Sequence, residues 1–355
     1  MTDGKIEVLV AEDSAVSRTF LVHLLESDPQ IRVVGAVADG QAALDFLSRS
    51  KPDVVLMDIY MPGIDGFETT RRIMETQPLP IVICSAVADP NELDVTFRTL
   101  QAGAIACIKK PVGREHADFA ATATNLLQTV KLMSEVKVVR RSARPRPQAP
   151  PVVASMELQR ARAEIKVIGI GASTGGPPVL QAILARLPKD FPAPVLVVQH
   201  IAHGFVAGMA EWLNHTSGLP VCLGGYGVSP QPGHIYLAPD DCHMGMGTAG
   251  QIVLSKTAAE NCLRPAVSFL FRSLAESCGS NALGVLLTGM GKDGAAELKL
   301  MKDKGAVTIA QDRESSVVHG MPGEAIGLGG ATHVLPADKI SDALITLVKN
   351  RNGIS

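Results

Sequence analysis

Residues 167–178 read VIGIGASTGGPP, and the rest of the chain is arranged around this stretch. Residues 167–170 are a short β-branched run of the kind that makes a buried parallel strand. The run breaks into a turn of small residues holding Ser173, and a helical pattern starts near Pro178. Residues 171–175, GASTG, fit the G-x-S-x-G elbow, in which glycines let the backbone bend sharply while the serine hydroxyl stands clear of the sheet. The N–H groups at the start of the following helix are then expected to face a developing oxyanion. A glycine-rich turn before a helix also suits a bound phosphate, so the other candidate residues must decide between the two.

The chain has 355 residues and 46% hydrophobic content, enough for two domains with separate cores. A formal charge of −2 gives no reason to expect a nucleic-acid partner, and the lack of a long apolar run argues against membrane insertion. The apolar run near the N-terminus is short and meets Glu12 and Asp13 at once, unlike a secretion signal, so a cytoplasmic protein is expected. Cys84, Cys107, Cys222, Cys242, Cys262 and Cys278 include no C-x-x-C pair and read as reduced thiols.

From Lys5 to about Thr129, short apolar runs alternate with longer helical patterns. The runs are residues 6–11, 33–37, 54–57, 81–84 and 104–108. Such alternation predicts a parallel sheet covered on both faces, with its site at the carboxyl ends of the strands. Glu12 and Asp13 follow the first run, Asp58 the third, Ser85 the fourth and Lys110 the fifth. Singly, Asp13 or Ser14 suits a helix cap before Ala15, Asp58 a turn and Lys110 a solvated surface. Together, three carboxylates beside one lysine make a hard-cation site in which two acids hold Mg²⁺ and one is free to attack a phosphoryl group.

The strings VLMDIYMPGIDGFE around Asp58, the Glu12–Asp13 pair, ICSA around Ser85 and KKP around Lys110 closely resemble the two-component receiver family over roughly the first 125 residues. The resemblance implies a flavodoxin-like, doubly wound domain with Asp58 as phosphoacceptor. It also implies Mg²⁺ on Glu12, Asp13, Asp58 and the Tyr60 carbonyl, and Ser85 and Lys110 on the phosphoryl group. One departure is Cys107, which stands where the family usually has the aromatic that swings inward on phosphorylation.

Residues 137–156 carry five basic and no acidic side chains and include RPRPQAPP, the composition of a semi-rigid linker. A basic arm for nucleic acid is the sharper reading of those charges. The second half is too long, and too regular in its strand-helix alternation, for a helix-turn-helix domain.

In that half, a helical pattern over 178–187 ends at Pro188, and residues 195–198 make a second buried run with Gln199 and His200 at its end. A third run, 283–287, opens into TGMGKDG, which places Asp293 before a helix near Ala295. Ser173, His200 and Asp293 thus sit at three strand ends, as a serine nucleophile, a base and its orienting acid require. Alternatives are a His200–His203 metal pair, His243, and an α/β-hydrolase order with Asp240 or Asp293 followed by His319 or His333.

IGASTGGP, VVQHI, IYLAPDDCHM, LLTGMGKDGA and VVHGMP, in this order, resemble the catalytic domain of the chemotaxis protein-glutamate methylesterase family, CheB, across about residues 165 to 350. The resemblance implies a second doubly wound α/β domain, so that 1–130 is receiver, 131–164 linker and 165–350 esterase. It assigns Ser173 as nucleophile, His200 as general base and acid, and Asp293 as its partner, with Thr174 and Met290 lining the site and contributing N–H groups to the oxyanion. It further implies hydrolysis of glutamate methyl esters and deamidation of glutamines on chemoreceptors, and phosphorylation by a CheA-type histidine kinase that loosens a receiver packed over the active-site entrance. No cofactor is expected for the ester chemistry. Ser268 stands where an acid is common, which takes a plausible local carboxylate partner from Arg264. A small-molecule esterase and a binding module with a vestigial site are the competing readings.

Overall fold

The computed structural model describes residues 4–85, 90–113, 115–136, 138 and 164–349. The chain divides into two compact units, 1–142 and 143–355. Strands of the first unit are β1 (Ile6–Ala11), β2 (Ile31–Val37), β3 (Val54–Met57), β4 (Ile81–Ser85) and β5 (Ala106–Lys109). They form one parallel sheet in the order β2-β1-β3-β4-β5. The central strands β3 and β4 are buried along their whole length, which is why they read as unbroken apolar runs. Pairing of Ile6 with Ile31 starts β2 two residues earlier than the apolar run suggested.

Local capping fixes the helices around the sheet. Ser14, Asp39 and Asp65 accept hydrogen bonds from the backbone N–H groups of Ser17, Ala42 and Glu68 at the starts of helices Ala15–Glu26, Gly40–Leu47 and Gly66–Thr76. Ser14 is therefore the cap of the first helix. The last helix of this unit, Phe119–Ser134, includes 131–134 of the segment read as linker; 137 and 139–163 lie outside the described residues.

The second unit contains β6 (Val167–Ala172), β7 (Val195–Gln199), β8 (Val221–Leu223), β9 (Ile235–Leu237), β12 (Ala282–Leu286), β13 (Val307–Gln311) and β14 (His333–Leu335) in a parallel sheet ordered β14-β13-β12-β6-β7-β9-β8. A separate antiparallel hairpin is made of β10 (His243–Met246) and β11 (Ile252–Ser255). From β6 the chain builds outward through β7, then returns to place β12 on the other side. The carboxyl end of β6 is thus a topological switch point, where open α/β sheets form their clefts.

Glycine in β6 sets how closely a helix can approach that point. A Cβ on Gly169 would lie 2.4 Å from Leu274 Cδ1, and one on Gly171 would lie 2.3 Å from Val267 Cγ1. Both contacts come from the helix Val267–Ser277, whose Val267, Leu270, Phe271 and Leu274 are fully buried in the core with Met244 and Ile252 of the hairpin. The bare face of β6 therefore draws the N-terminus of this helix down beside the switch point.

Candidate functional site

Ser173 is the first residue after β6. Its N–H donates to the Thr288 carbonyl at 3.0 Å, and its own carbonyl accepts from Gly176 N–H at 2.8 Å, closing the turn. Gly175 has φ 75°, and a Cβ there would lie 2.5 Å from Val317; a Cβ on Gly176 would lie 2.1 Å from Gln199 Oε1. The turn thus needs both glycines, one for its left-handed backbone and one for close approach. The helix begins at Gly176 and ends at Leu184, not at Pro178 and Leu187. Prolines in its first turn carry no N–H, and Gly176 N–H is already used, so the helix start offers the oxyanion less than the sequence suggested.

His200 is the first residue after β7. Ala172 pairs with Gln199, and His200 N–H donates to the Ala172 carbonyl at 2.9 Å, so Ser173 and His200 leave adjacent strands side by side. Buried Gln199 ties them: its Nε2 donates to the carbonyls of both Ser173 and His200 at 2.8 Å. Asp293 is 2% exposed, and its Oδ2 lies 2.9 Å from His200 Nε2, a close contact without hydrogen-bond alignment. Oδ2 also accepts from Val267 N–H at 2.6 Å, while Oδ1 accepts from Ser268 N–H at 3.1 Å and Asn261 Nδ2 at 3.0 Å. Burial alone would raise the pKa of this carboxyl. His200 and the Ser268 and Val267 donors outweigh it and hold Asp293 down at about 2. The N-terminus of the Val267–Ser277 helix adds its dipole in the same direction.

The rival histidines have other tasks. His243 is buried and stacked on Phe269 at 4.9 Å; its Nδ1 accepts from Ala266 N–H, so Nε2 carries the proton and donates to the Ala258 carbonyl. His319 lies in the loop bridged to Gly289, with Nδ1 3.3 Å from Ser316 Oγ, and burial pushes its pKa down. His333 opens the edge strand β14, three strands away from β6, the strand that leads to Ser173. Asp240 accepts from Gly204 N–H and holds the loop after His200. His203 is exposed, and among the described residues the cluster with metal-ligand spacing is elsewhere.

Around Ser173, Thr288 Oγ1 donates to the Thr174 carbonyl at 2.9 Å and accepts from Val318 N–H at 3.0 Å, while Thr288 N–H donates to Gln311 Oε1. Met290 is 44% exposed at the mouth of this loop. Thr288, Gln311 and Asn261 escaped the sequence reading. The first two sit at or just after strand ends, where the rule that exposed Ser173 and His200 would have found them; Asn261 carries no such signal. Arg264 has a carboxylate from farther off in the sequence: its Nη2 lies 3.3 Å from Asp241 Oδ1, and Nη1 donates to the Lys256 and Thr257 carbonyls. Ser268 Oγ instead donates to Glu297 Oε2 at 2.7 Å.

In the first unit, Glu12, Asp13 and Asp58 bring carboxylate oxygens within 4.8 Å of one another just past the carboxyl ends of the neighbouring strands β1 and β3. Lys110 Nζ lies 2.9 Å from both Glu12 Oε2 and Asp58 Oδ2, and Ile59 N–H donates to Asp58 Oδ1. Burial raises the pKa of Glu12 and Asp58 despite the lysine. Three acids against one ammonium, with Glu12 Oε2 buried and lacking an aligned donor, fit a divalent cation of the Mg²⁺ type. Ser85 is buried at the end of β4, and its carbonyl accepts from Lys110 N–H. Tyr60 is 43% exposed. Cys107 on β5 is paired in register with Ile83, and burial pushes its thiol pKa up.

Residues 168–344 match the CheB methylesterase family, and residues 8–120 match the response regulator receiver domain. The protein-glutamate methylesterase/protein-glutamine glutaminase of Nitrosospira multiformis is 52% identical over 98% of both chains. One from Geobacter metallireducens is 52% identical over 98% of this chain and its own full length. The crystal structure of the Thermotoga maritima CheB methylesterase catalytic domain covers 52% of this chain and 100% of its own, with a TM-score of 0.51 at 44% identity. Strand ends, turn glycines and full-length relatives agree, and the chain belongs to the CheB methylesterase family, with a response regulator receiver domain preceding its catalytic domain.

Proposed function

We propose that this protein is a phosphorylation-controlled protein-glutamate methylesterase and protein-glutamine glutaminase that acts on chemoreceptors in the cytoplasm for sensory adaptation. The observation that carries this reading is the buried Asp293 carboxylate, saturated with donors and set on His200 at the strand end beside Ser173.

Ser173 Oγ attacks the carbonyl carbon of a glutamyl γ-methyl ester as His200 takes its proton. Asp293 occupies Nε2, which leaves Nδ1 for the serine proton, and the ionised carboxylate stabilises the imidazolium that forms. Backbone N–H groups at Thr174 and Met290 are assigned to the oxyanion of the tetrahedral intermediate. His200 then protonates the leaving methoxide, methanol departs, and a water deprotonated by His200 hydrolyses the acyl-enzyme to glutamate and free Ser173. On a glutamine side chain the same sequence releases ammonia, with the His200 proton needed by the poorer leaving group.

The receiver is assigned Asp58 as phosphoacceptor, with Ser85 and Lys110 on the phosphoryl oxygens and a CheA-type histidine kinase as donor. Glu12, Asp13, Asp58 and the Tyr60 carbonyl are assigned to Mg²⁺, which when bound offsets charge on the acids and the incoming phosphoryl group. None of the described helices is long and apolar enough to cross a membrane.

The test is mass spectrometry of glutamyl peptides from chemoreceptor membranes incubated with the protein. Wild type should remove methyl esters and deamidate glutamines, and Ser173→Ala should lose both reactions together. Retention of either by Ser173→Ala would contradict the assignment of the nucleophile.

A further inference from the structure

Asp293 receives a side-chain donor that the reaction scheme does not use. Residues Glu260 and Leu263 face each other in an antiparallel bridge, with Glu260 N–H donating to the Leu263 carbonyl at 3.0 Å and the reverse bond at 2.8 Å. Between them, Asn261 and Cys262 both have positive φ, 53° and 63°. Two consecutive left-handed residues closed by reciprocal bonds make a type I′ turn. Asparagine suits such a position; cysteine does not, and a side chain held there against its preference marks a turn fixed by its surroundings. Those surroundings are visible: Arg272 pairs with Glu260 within the turn and reaches Glu297, whose Oε2 accepts from Ser268 Oγ.

The turn aims one group at the active site. Asn261 Nδ2 donates to Asp293 Oδ1 at 3.0 Å and to Ser268 Oγ at 3.3 Å, while Ser268 Oγ also accepts from Gly294 N–H. Asp293 thereby has two donors on Oδ1, and one backbone donor plus His200 on Oδ2. A carboxylate offers about four acceptor sites, so losing one donor lets the group rotate or draws the imidazole harder. We propose that Asn261 is a positioning residue for the methylesterase and glutaminase reaction: its amide pins Asp293 Oδ1 so that Oδ2 stays on His200.

The proposal rests on the methylesterase reading, so wild type and Ser173→Ala are measured in the same assay to test that reading separately. The assay is methanol release from methyl-labelled chemoreceptor membranes by the full chain, as a function of pH. Asn261→Gly removes the amide while accepting the left-handed backbone; Cys262→Gly relieves the turn and leaves the amide. Asn261→Gly should lower kcat about tenfold, the equivalent of one hydrogen bond to a charged group, with KM little changed. The pH midpoint of kcat/KM should move upward, because a carboxylate with one donor fewer favours the protonated imidazole. Cys262→Gly should keep wild-type kcat and pH midpoint. Wild-type kcat and an unmoved midpoint in Asn261→Gly would overturn the proposal, as would equal losses in the two glycine variants, which would mark the turn as structural only. Absence of Ser173-dependent release in wild type would fail the underlying reading instead.

Discussion

The two units each bury carboxylates at the carboxyl ends of a parallel sheet, and they treat them in opposite ways. In the receiver, Glu12 and Asp58 share a single lysine, and desolvation wins: both pKa values rise. In the catalytic domain, Asp293 is comparably buried, yet His200 and the Ser268 and Val267 donors hold it at about 2. The difference lies in donor count, not burial. A carboxylate cluster short of positive charge has room for a cation, whereas a saturated carboxylate stays ionised.

The largest effect that would break this contrast is on turnover. Asp293→Asn should lower kcat about 10⁴-fold, since an amide in place of the carboxylate supports the wrong histidine tautomer, and steady-state methanol release reads it. Activity within a few-fold of wild type would show that the saturated carboxylate has no part in the proton transfer. On the receiver side, Asp58→Asn should abolish labelling by a small radioactive phosphodonor, and chelation of Mg²⁺ should do the same to wild type. Labelling that survives chelation would mean that the acid cluster does not use a cation.

Stability should separate the sites by sign. Asp293→Asn sets an amide N–H₂ against the N–H groups of Val267 or Ser268 and should destabilise the catalytic domain by about 2 kcal/mol. Asp58→Asn relieves a crowded charge and should stabilise the receiver by about 1 kcal/mol. Calorimetry of the full chain reads both transitions. The same opposition should appear with pH. Asp293 is held below its ordinary 3.8, so its contribution is present above about pH 4 and is lost as pH falls toward 2. Glu12 and Asp58 are held above their ordinary 4.5 and 3.8, so the folded receiver binds their protons more tightly and gains stability as pH falls through those raised values toward 4. Transitions that move together over that range would contradict the contrast. A smaller effect is geometric. Gly171→Ala would put a Cβ 2.3 Å from Val267 Cγ1 and should cost about 1–3 kcal/mol as the helix that serves Asp293 is pushed away.

Both sheets were legible because their central strands are buried on two faces and so appear as unbroken apolar runs such as VVLM and VLVVQ. Shorter pieces escaped for the same reason: β8, with its partly exposed VCL, and the β10–β11 hairpin, broken by glycine, carry little periodic signal. The helix after Ser173 starts earlier than its apolar pattern because prolines in the first turn need no N–H partner there. Ser173, His200 and Asp293 stood out because strand ends are where a parallel sheet places chemistry. Asn261 did not, because it comes to Asp293 across 32 residues through a two-residue turn, and no spacing rule records such a contact. The partner of Arg264 was illegible for a like reason: its carboxylate, Asp241, lies 23 residues upstream and not in the helix that follows.

The most direct test of the account joins the two sites in one measurement: methanol released from methyl-labelled chemoreceptor membranes, with and without a small phosphodonor and Mg²⁺, by wild type, Ser173→Ala and Asp58→Asn. Release should require Ser173 and rise with the donor only when Asp58 is intact. Release that persists in Ser173→Ala, or that the donor raises equally in Asp58→Asn, would contradict it.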